Sequence, residues 1–311
     1  MLAFIRDRLL LAIPTLVVVS LVTFFLGYLA PGSPVDILLG EKSNPEARRR
    51  LEHEYGLDRP ALVQYGAFVW GALHGDLGRS YANADRPVSR MIAEQFPTTA
   101  KLAGLAMVLA ALIGLPAGVL AALKHNGLLD RLVMGGVLLF VSTPAFVLGP
   151  LLMLVFALWL RWLPSDGWES PAHAVLPSIV LAVRPAALLA RLMRSSMLDV
   201  IRQDYIRTAL AKGLTRAQVI RRHALKNAFL PVLTVIGNSF GYLLTGSFVV
   251  ESLFRIPGIG YESVQSILQR DYPVIQGVAL LVAAIFVLVN LAVDLLYAVV
   301  DPRVRFEGAR E

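Results

Sequence analysis

Six long apolar stretches, approximately residues 9–30, 98–123, 132–160, 175–189, 229–250 and 274–300, limit what this chain can fold into. Crossing a bilayer as a helix takes about 20 consecutive apolar residues. Backbone N–H and C=O groups find no water in lipid, so a spanning segment must satisfy them internally. Only 16% of the 311 residues are charged and 56% are hydrophobic, against about 25% charged in a soluble domain. The expected fold is all-α and polytopic, with six transmembrane helices. The fourth stretch is the weakest, because Arg184 and Pro185 interrupt it.

The start MLAFIRDR is basic, as a cleaved signal would be, but the apolar core behind it is longer than the 7–15 residues of such a signal. Its exit, GYLAPG, places Pro31 where cleavage would have to occur, so a retained helix is expected. With no cysteine, neither disulfides nor thiolate metal ligation is available. The net charge of +7 could suggest nucleic acid, yet in a membrane chain basic residues first report orientation. Residues 190–228 hold nine Lys or Arg, whereas 161–174 hold only Arg161. Short loops rich in Lys and Arg stay in the cytoplasm. Alternating six spans then puts both termini inside, and the tail DPRVRFEGAR agrees. The loop 31–97 falls outside despite its arginines, because loops of that length translocate largely regardless of charge.

Three segments follow: 1–30 with the first span, an external helical subdomain over 31–97, and a five-span membrane domain over 98–311. In the external segment Asn44 is placed to cap a helix, with Pro45 at its first position and Gly56 just past its end. A second helix is expected between Asp58 and Gly75.

The stretch DYIRTALAKGLTRAQVIRRHALKNAFLP, 204–231, carries six Lys or Arg and one acid between two apolar runs. Gly213 suits the left-handed end of a first helix. Thr215 with Gln218 three residues on forms a capping-box pattern for a second, expected to run to Pro231, where the fifth span begins. Val219, Ile220 and Ala224 share one apolar face of it, while Arg216, Arg221 and Lys226 point elsewhere. This helix–Gly–helix elbow, 204–228, has three readings: a basic surface resting on anionic lipid, a nucleic-acid arm, or a docking element for a cytoplasmic partner. Aromatic interleaving and a second basic element are missing for nucleic acid. A capped elbow with a glycine hinge is more structure than lipid adhesion requires.

Polar groups inside the spans are few. GNSFG, residues 237–241, matches the nucleophile-elbow pattern G-x-S-x-G, but that elbow needs a strand–turn–helix context and a histidine partner. The histidines 53, 74, 125, 173 and 223 all fall in loops or at membrane edges. Gly237 and Gly241 read better as a face for close helix packing. Asn238, Tyr242 and Thr245 recur at helical spacing, with Ser239 beside them, as interhelical hydrogen bonders or as the lining of a pathway. A charge at a span centre costs about 2.5–3.5 kcal/mol on insertion scales, so Arg184 is expected to face water, substrate or a partner. Asp294 reads as structural. No His or Met cluster suggests a metal site, and no catalytic group is expected.

The elbow resembles the cytoplasmic motif of permease subunits in ATP-binding-cassette importers, Glu-Ala-Ala, three residues, Gly, nine residues, Ile-x-Leu-Pro. Gly213 takes the glycine position. Arg207, Thr208 and Ala209 occupy the opening triplet, of which only Ala209 is kept. His223, Ala224, Leu225 and Lys226 occupy the closing positions, of which only Leu225 is kept. RTALAKG with RHALKNAFLP is similar to the variant in the dipeptide and oligopeptide branch. GDLGRSY, RPVSRMIAEQFPTT, VVESLFRIPGIGYESVQSILQRDYPVIQG and LVNLAVDLLYAVVDPRVR resemble that branch too. The resemblance implies a pore subunit of the bacterial inner membrane importing dipeptides or oligopeptides. Similar permeases serve nickel, glutathione and oligosaccharides. It also implies a homologous second permease, two ATPase subunits that hold ATP and Mg, and an external solute-binding protein. Leu214 and Thr215 would join the coupling surface. No phosphate-binding G-x-x-x-x-G-K-[ST] loop occurs, so ATP hydrolysis is not expected of this chain. A secondary transporter working alone would carry intramembrane acids, and beyond Arg184 and Asp294 the spans offer little.

Overall fold

A computed structural model describes residues 2–29, 44–83 and 86–300, together with Val35 and Leu39. Pro31 and the tail 301–310, both used above, lie outside the described residues. The helices are α1 (Leu2–Leu29), α2 (Pro45–Glu54), α3 (Ala61–Leu73), α4 (Val88–Leu123), α5 (Leu128–Ser142), α6 (Ala145–Leu152), α7 (Val175–Ile201), α8 (Asp204–Ala211), α9 (Arg216–Val219), α10 (Leu225–Gly246), α11 (Phe248–Leu253), α12 (Ile259–Leu268) and α13 (Tyr272–Val300). Among the described residues the extended pairing is a single antiparallel bridge, Arg79 with Pro87.

The fold is all-α. Five helices are long and apolar enough to cross a membrane, and a sixth crossing arises if the bent pair 128–142 and 145–159 is one span. That pair turns by 104°, so the third expected span is not straight. The cause is local: Thr143 precedes Pro144 and is held extended (φ −87°, ψ 117°), as the proline ring demands of its neighbour. The fourth stretch is longer than its apolar core suggested, because α7 runs through Pro185 to Ile201. The fifth does not start at Pro231. α9 passes through a wide π-helical turn, Ile220–Ala224, directly into α10.

The chain divides into two compact units. The first comprises residues 1–99 and 256–287. Asn44 caps α2 by accepting from the Glu46 N–H at 3.0 Å, with Pro45 at the first position and Gly56 at φ +65°, as the sequence led us to expect. Asp58 does not cap α3; Pro60 stands there, and the Asp58 carboxylate instead meets His53 at 2.7 Å. The apolar core gathers Val88, Met91, Ile92, Ile259, Val274 and Val278. Beside it the buried Asp271 accepts from the Ser80 hydroxyl and from the N–H groups of Tyr81 (3.0 Å) and Ala82 (3.2 Å), tying the loop after α3 to the start of α13.

The second unit comprises residues 100–255 and 288–311. At its centre α7 packs against α5, α6 and α10. Gly114 and Gly118 of α4 lie so close to α7 that a Cβ on either would strike the carbonyl oxygens of Ala186 and Ala190. Gly237 and Gly241 do the same against α13: a Cβ at Gly237 would overlap the Val293 side chain, and one at Gly241 would come within 3.2 Å of Val289. The GxxxG reading of GNSFG therefore holds, and a second such pair on α4 joins it.

Two stability predictions follow from these contacts. Gly118→Ala should destabilise the protein by about 1–3 kcal/mol, the usual range for overpacking. The same change at Gly136, which has nothing within 4 Å, should leave the melting temperature unchanged or raised. The Tyr81 phenol is pushed up to about 12 from 10.0, first by burial, then by the Asp271 carboxylate and Tyr55. The folded state thus holds that proton more tightly than the unfolded chain. Its contribution is complete below pH 10 and fades as the pH rises towards 12. Tyr81→Phe should flatten the fall in melting temperature over that window, measured by thermal scanning in detergent.

Candidate functional site

The elbow takes its shape from two local devices. α8 ends as Gly213 adopts φ +85°, a conformation in which a residue with a Cβ is penalised. Two residues on, the Thr215 hydroxyl accepts from the Gln218 N–H at 3.4 Å while the Gln218 side chain accepts from the Thr215 N–H at 2.9 Å. The capping box is thus closed in both directions.

Burial sorts the elbow residues. Ala209, Val219 and Ala224 are buried and face the bundle, with Ile220 half-buried. Arg207, Thr208, Thr215, Arg216, Arg221 and Lys226 are exposed. Leu214, His223 and Leu225 are half-buried. Arg207 lies 3.6 Å from Asp204, and the Thr208 hydroxyl donates back to the Asp204 carbonyl at 3.1 Å. The Asn227 amide donates to the Tyr205 hydroxyl at 2.8 Å, closing the angle between the two arms. The elbow thus presents an exposed basic rim on a fixed apolar underside.

A charged cluster that the sequence did not announce braces this unit. Asp130, buried near the start of α5, takes both oxygens of its carboxylate to Arg194 of α7, at 2.6 Å from Nε and 2.7 Å from an Nη. The Asn126 N–H donates to the same carboxylate at 2.9 Å, and His125 meets Arg194 at 3.0 Å. A two-pronged Arg–carboxylate pair fixes direction as well as distance. It locks the turn between α4 and α5 to the last third of α7.

A cavity of about 630 Å³ opens in the same unit between α5, α6, α7 and α10. Arg184, Asn238, Ser239 and Tyr242 line it. So do Thr143 and Pro144, the bend of the broken span. Arg184 is exposed, and its guanidinium carbon sits 6.0 Å from the centre of the Tyr242 ring, within cation–π range. Pro185 has no N–H, so the Leu181 carbonyl, also at the cavity wall, lacks its helical donor. Thr245 does not belong to the lining. Its hydroxyl turns back to the carbonyls of Gly241 (3.1 Å) and Tyr242 (3.3 Å). No histidine or carboxylate lines the cavity among the described residues, so Ser239 has no general base beside it.

At Gly213 a Cβ would meet nothing within 4 Å, so the backbone conformation alone decides which residues are tolerated. Asn, which visits the left-handed region most readily after Gly, should keep most elbow function. Val should lose about 1–2 kcal/mol locally. Limited proteolysis of the elbow in the two variants should show Gly213→Val cut faster.

Comparison with known proteins gives concordant matches. A family described as binding-protein-dependent transport system inner membrane component matches residues 114–306, and its N-terminal companion matches residues 1–103. The oligopeptide transport system permease protein OppB of Salmonella typhimurium is 44% identical over 309 residues, spanning 98% of this chain and 100% of that protein. A peptide transport system permease protein of Brucella abortus, itself named as putative, is 42% identical over 315 residues, spanning 99% of this chain and 100% of its own. Among solved structures, the MetNI methionine ABC transporter in inward facing conformations aligns with TM-score 0.59 and 21% identity. That alignment covers 68% of this chain and 96% of the other, and shows a shared fold.

Proposed function

The chain belongs to the family of binding-protein-dependent transport system inner membrane components, and on that premise we propose that it is the membrane pore subunit of an ATP-driven importer of dipeptides or oligopeptides. The observation that carries the reading is continuity. One helical path, from the capping box at Thr215 through the π turn into α10, joins the elbow to the cavity wall at Asn238 and Tyr242.

In this reading the elbow docks on an ATPase subunit through the exposed Arg207, Thr208 and Thr215 with the half-buried Leu214 and His223, while Gly213 sets its angle and Ala209 and Leu225 back it from the underside. The ATP and Mg belong to that subunit. Two such ATPases would drive this chain and a homologous second permease between inward- and outward-open states, with an external solute-binding protein delivering the peptide. The elbow and both termini then face the cytoplasm, and the segment 31–97 faces outside, as the arginine and lysine bias requires. Residues 98–311 would form the permease domain proper.

Arg184 would meet the carboxylate of the passing peptide, with Asn238, Ser239 and Tyr242 offering weak, reversible hydrogen bonds. α6 begins at the same wall, where the Val147 and Leu148 N–H groups donate to the Pro144 carbonyl and those of Ala145 and Phe146 precede any helical acceptor, and a helix start favours negative charge. The cation–π contact with Tyr242 holds the guanidinium over the cavity without neutralising it.

Proteoliposomes holding the full transporter and its binding protein should take up dipeptides or oligopeptides only when ATP is present. Uptake on a proton gradient alone would overturn the function. Arg184→Ala should lower peptide uptake at least tenfold while leaving ATPase association intact. Undiminished transport of every peptide by that variant would remove Arg184 from the pathway and leave the importer reading standing.

A further inference from the structure

On the far side of α10 from the Arg184 cavity lies a second hollow of about 930 Å³. Phe229 and Asn238 are nine residues apart, close to half a revolution at 3.6 residues per turn, so the two hollows occupy opposite faces of one helix. Val119 and Leu120 of α4 and Phe229, Leu230 and Leu233 of α10 form its apolar wall. Both helices belong to segments long and apolar enough to cross the bilayer. Its rim carries Arg221 and Lys226, both exposed. Among the described residues neither makes an ion pair, and no Asp or Glu lines the hollow.

We infer that this groove holds an anionic phospholipid, an acyl chain against the apolar wall and its phosphate between Arg221 and Lys226. The charge pattern selects the headgroup. A zwitterionic phospholipid would fill the apolar part equally well, but its own headgroup cation offsets the phosphate and is repelled by Arg221 and Lys226. Basic pockets between membrane helices at the cytoplasmic face suit anionic headgroups, and Lys and Arg stems lie along apolar surface while their charges reach the interface. The remainder of the elbow's exposed rim, Arg207 and Arg216 among it, lies outside this groove and stays open to a protein. The two faces of the basic segment thus divide between lipid and partner. The assignment is independent of which solute the pore carries.

Native mass spectrometry of the full chain, equilibrated with equal amounts of dioleoyl phosphatidylglycerol and dioleoyl phosphatidylcholine, tests it. Wild type should retain one phosphatidylglycerol in preference to phosphatidylcholine. Arg221→Gln and Lys226→Gln should each reduce that preference about fivefold. Arg216→Gln, which removes an exposed elbow cation outside the lining, should leave it unchanged. Val119→Trp, which fills the groove, should reduce retention of both lipids. Equal retention of the two lipids by wild type overturns the inference, and so does a loss with Arg216→Gln as large as with Arg221→Gln. Absence of the bound lipid from the intact assembly purified with its partner subunits also overturns it, because a protein then covers the groove.

Discussion

Lipid tails are as apolar as leucine, so helices in a bilayer gain little by hiding hydrophobic surface from their surroundings. What holds the second unit together is close backbone approach at the smallest residues. α4 comes onto α7 at Gly114 and Gly118, and α10 comes onto α13 at Gly237 and Gly241. Each contact exists because no Cβ stands in the way. From this follows the position of α7, with Ala187 and Ala190 meeting Val137 of α5 on one flank and α10 on another. The Arg184 cavity is what remains where α5 breaks and cannot fill that flank.

Polar chemistry then fixes what close packing leaves free. Asp130 and Arg194 meet through two parallel hydrogen bonds, and Asn126 adds a backbone donor. Removing the half-buried Arg194 would strand the buried Asp130 carboxylate, which is costlier than losing an exposed ion pair. In the first unit Asp271 performs a comparable task by collecting three donors from the loop after α3. Both carboxylates stand at helix starts, and each ties down a loop: Asp130 holds the turn at Asn126 to α7, and Asp271 holds the loop after α3.

Much of this was legible in the order of residues, and what was not has physical reasons. The six apolar stretches gave the all-α membrane fold, since only helix length and hydropathy were needed. The elbow was legible because glycine, threonine and glutamine each act locally, within four residues of chain. The Asn44 cap was legible for the same reason. Asp58 was misleading as a cap, because His53 five residues earlier competes for its carboxylate at 2.7 Å. The bend at Thr143–Pro144 was written in the sequence as a residue before proline, but a proline inside an apolar run is tolerated as often as it breaks a helix; Pro14, Pro150 and Pro231 all sit inside helices here. Asp130 with Arg194 spans 64 residues, and Ser80 with Asp271 spans 191. No local pattern announces pairs so distant. Arg184, Asn238, Ser239 and Tyr242 were recognisable as polar groups out of place, yet only the packed structure separates them from Thr245, whose hydroxyl is satisfied within its own helix.

The unbroken path from Thr215 to Asn238 covers 23 residues, about 35 Å of helix at 1.5 Å per residue. A rigid rod of that length is a lever. Tilting its foot by 10° sweeps the far end through about 6 Å, more than the rise of a helical turn. A motion small enough to leave the foot seated would therefore be large enough to open or shut the cavity wall. Two compliant places lie along the rod: the π turn at Ile220–Ala224, where the backbone hydrogen bonds are wider than in the rest of the helix, and Pro231, which has no N–H to offer the Asn227 carbonyl. Stiffness at these two places sets how much of a push at one end arrives at the other.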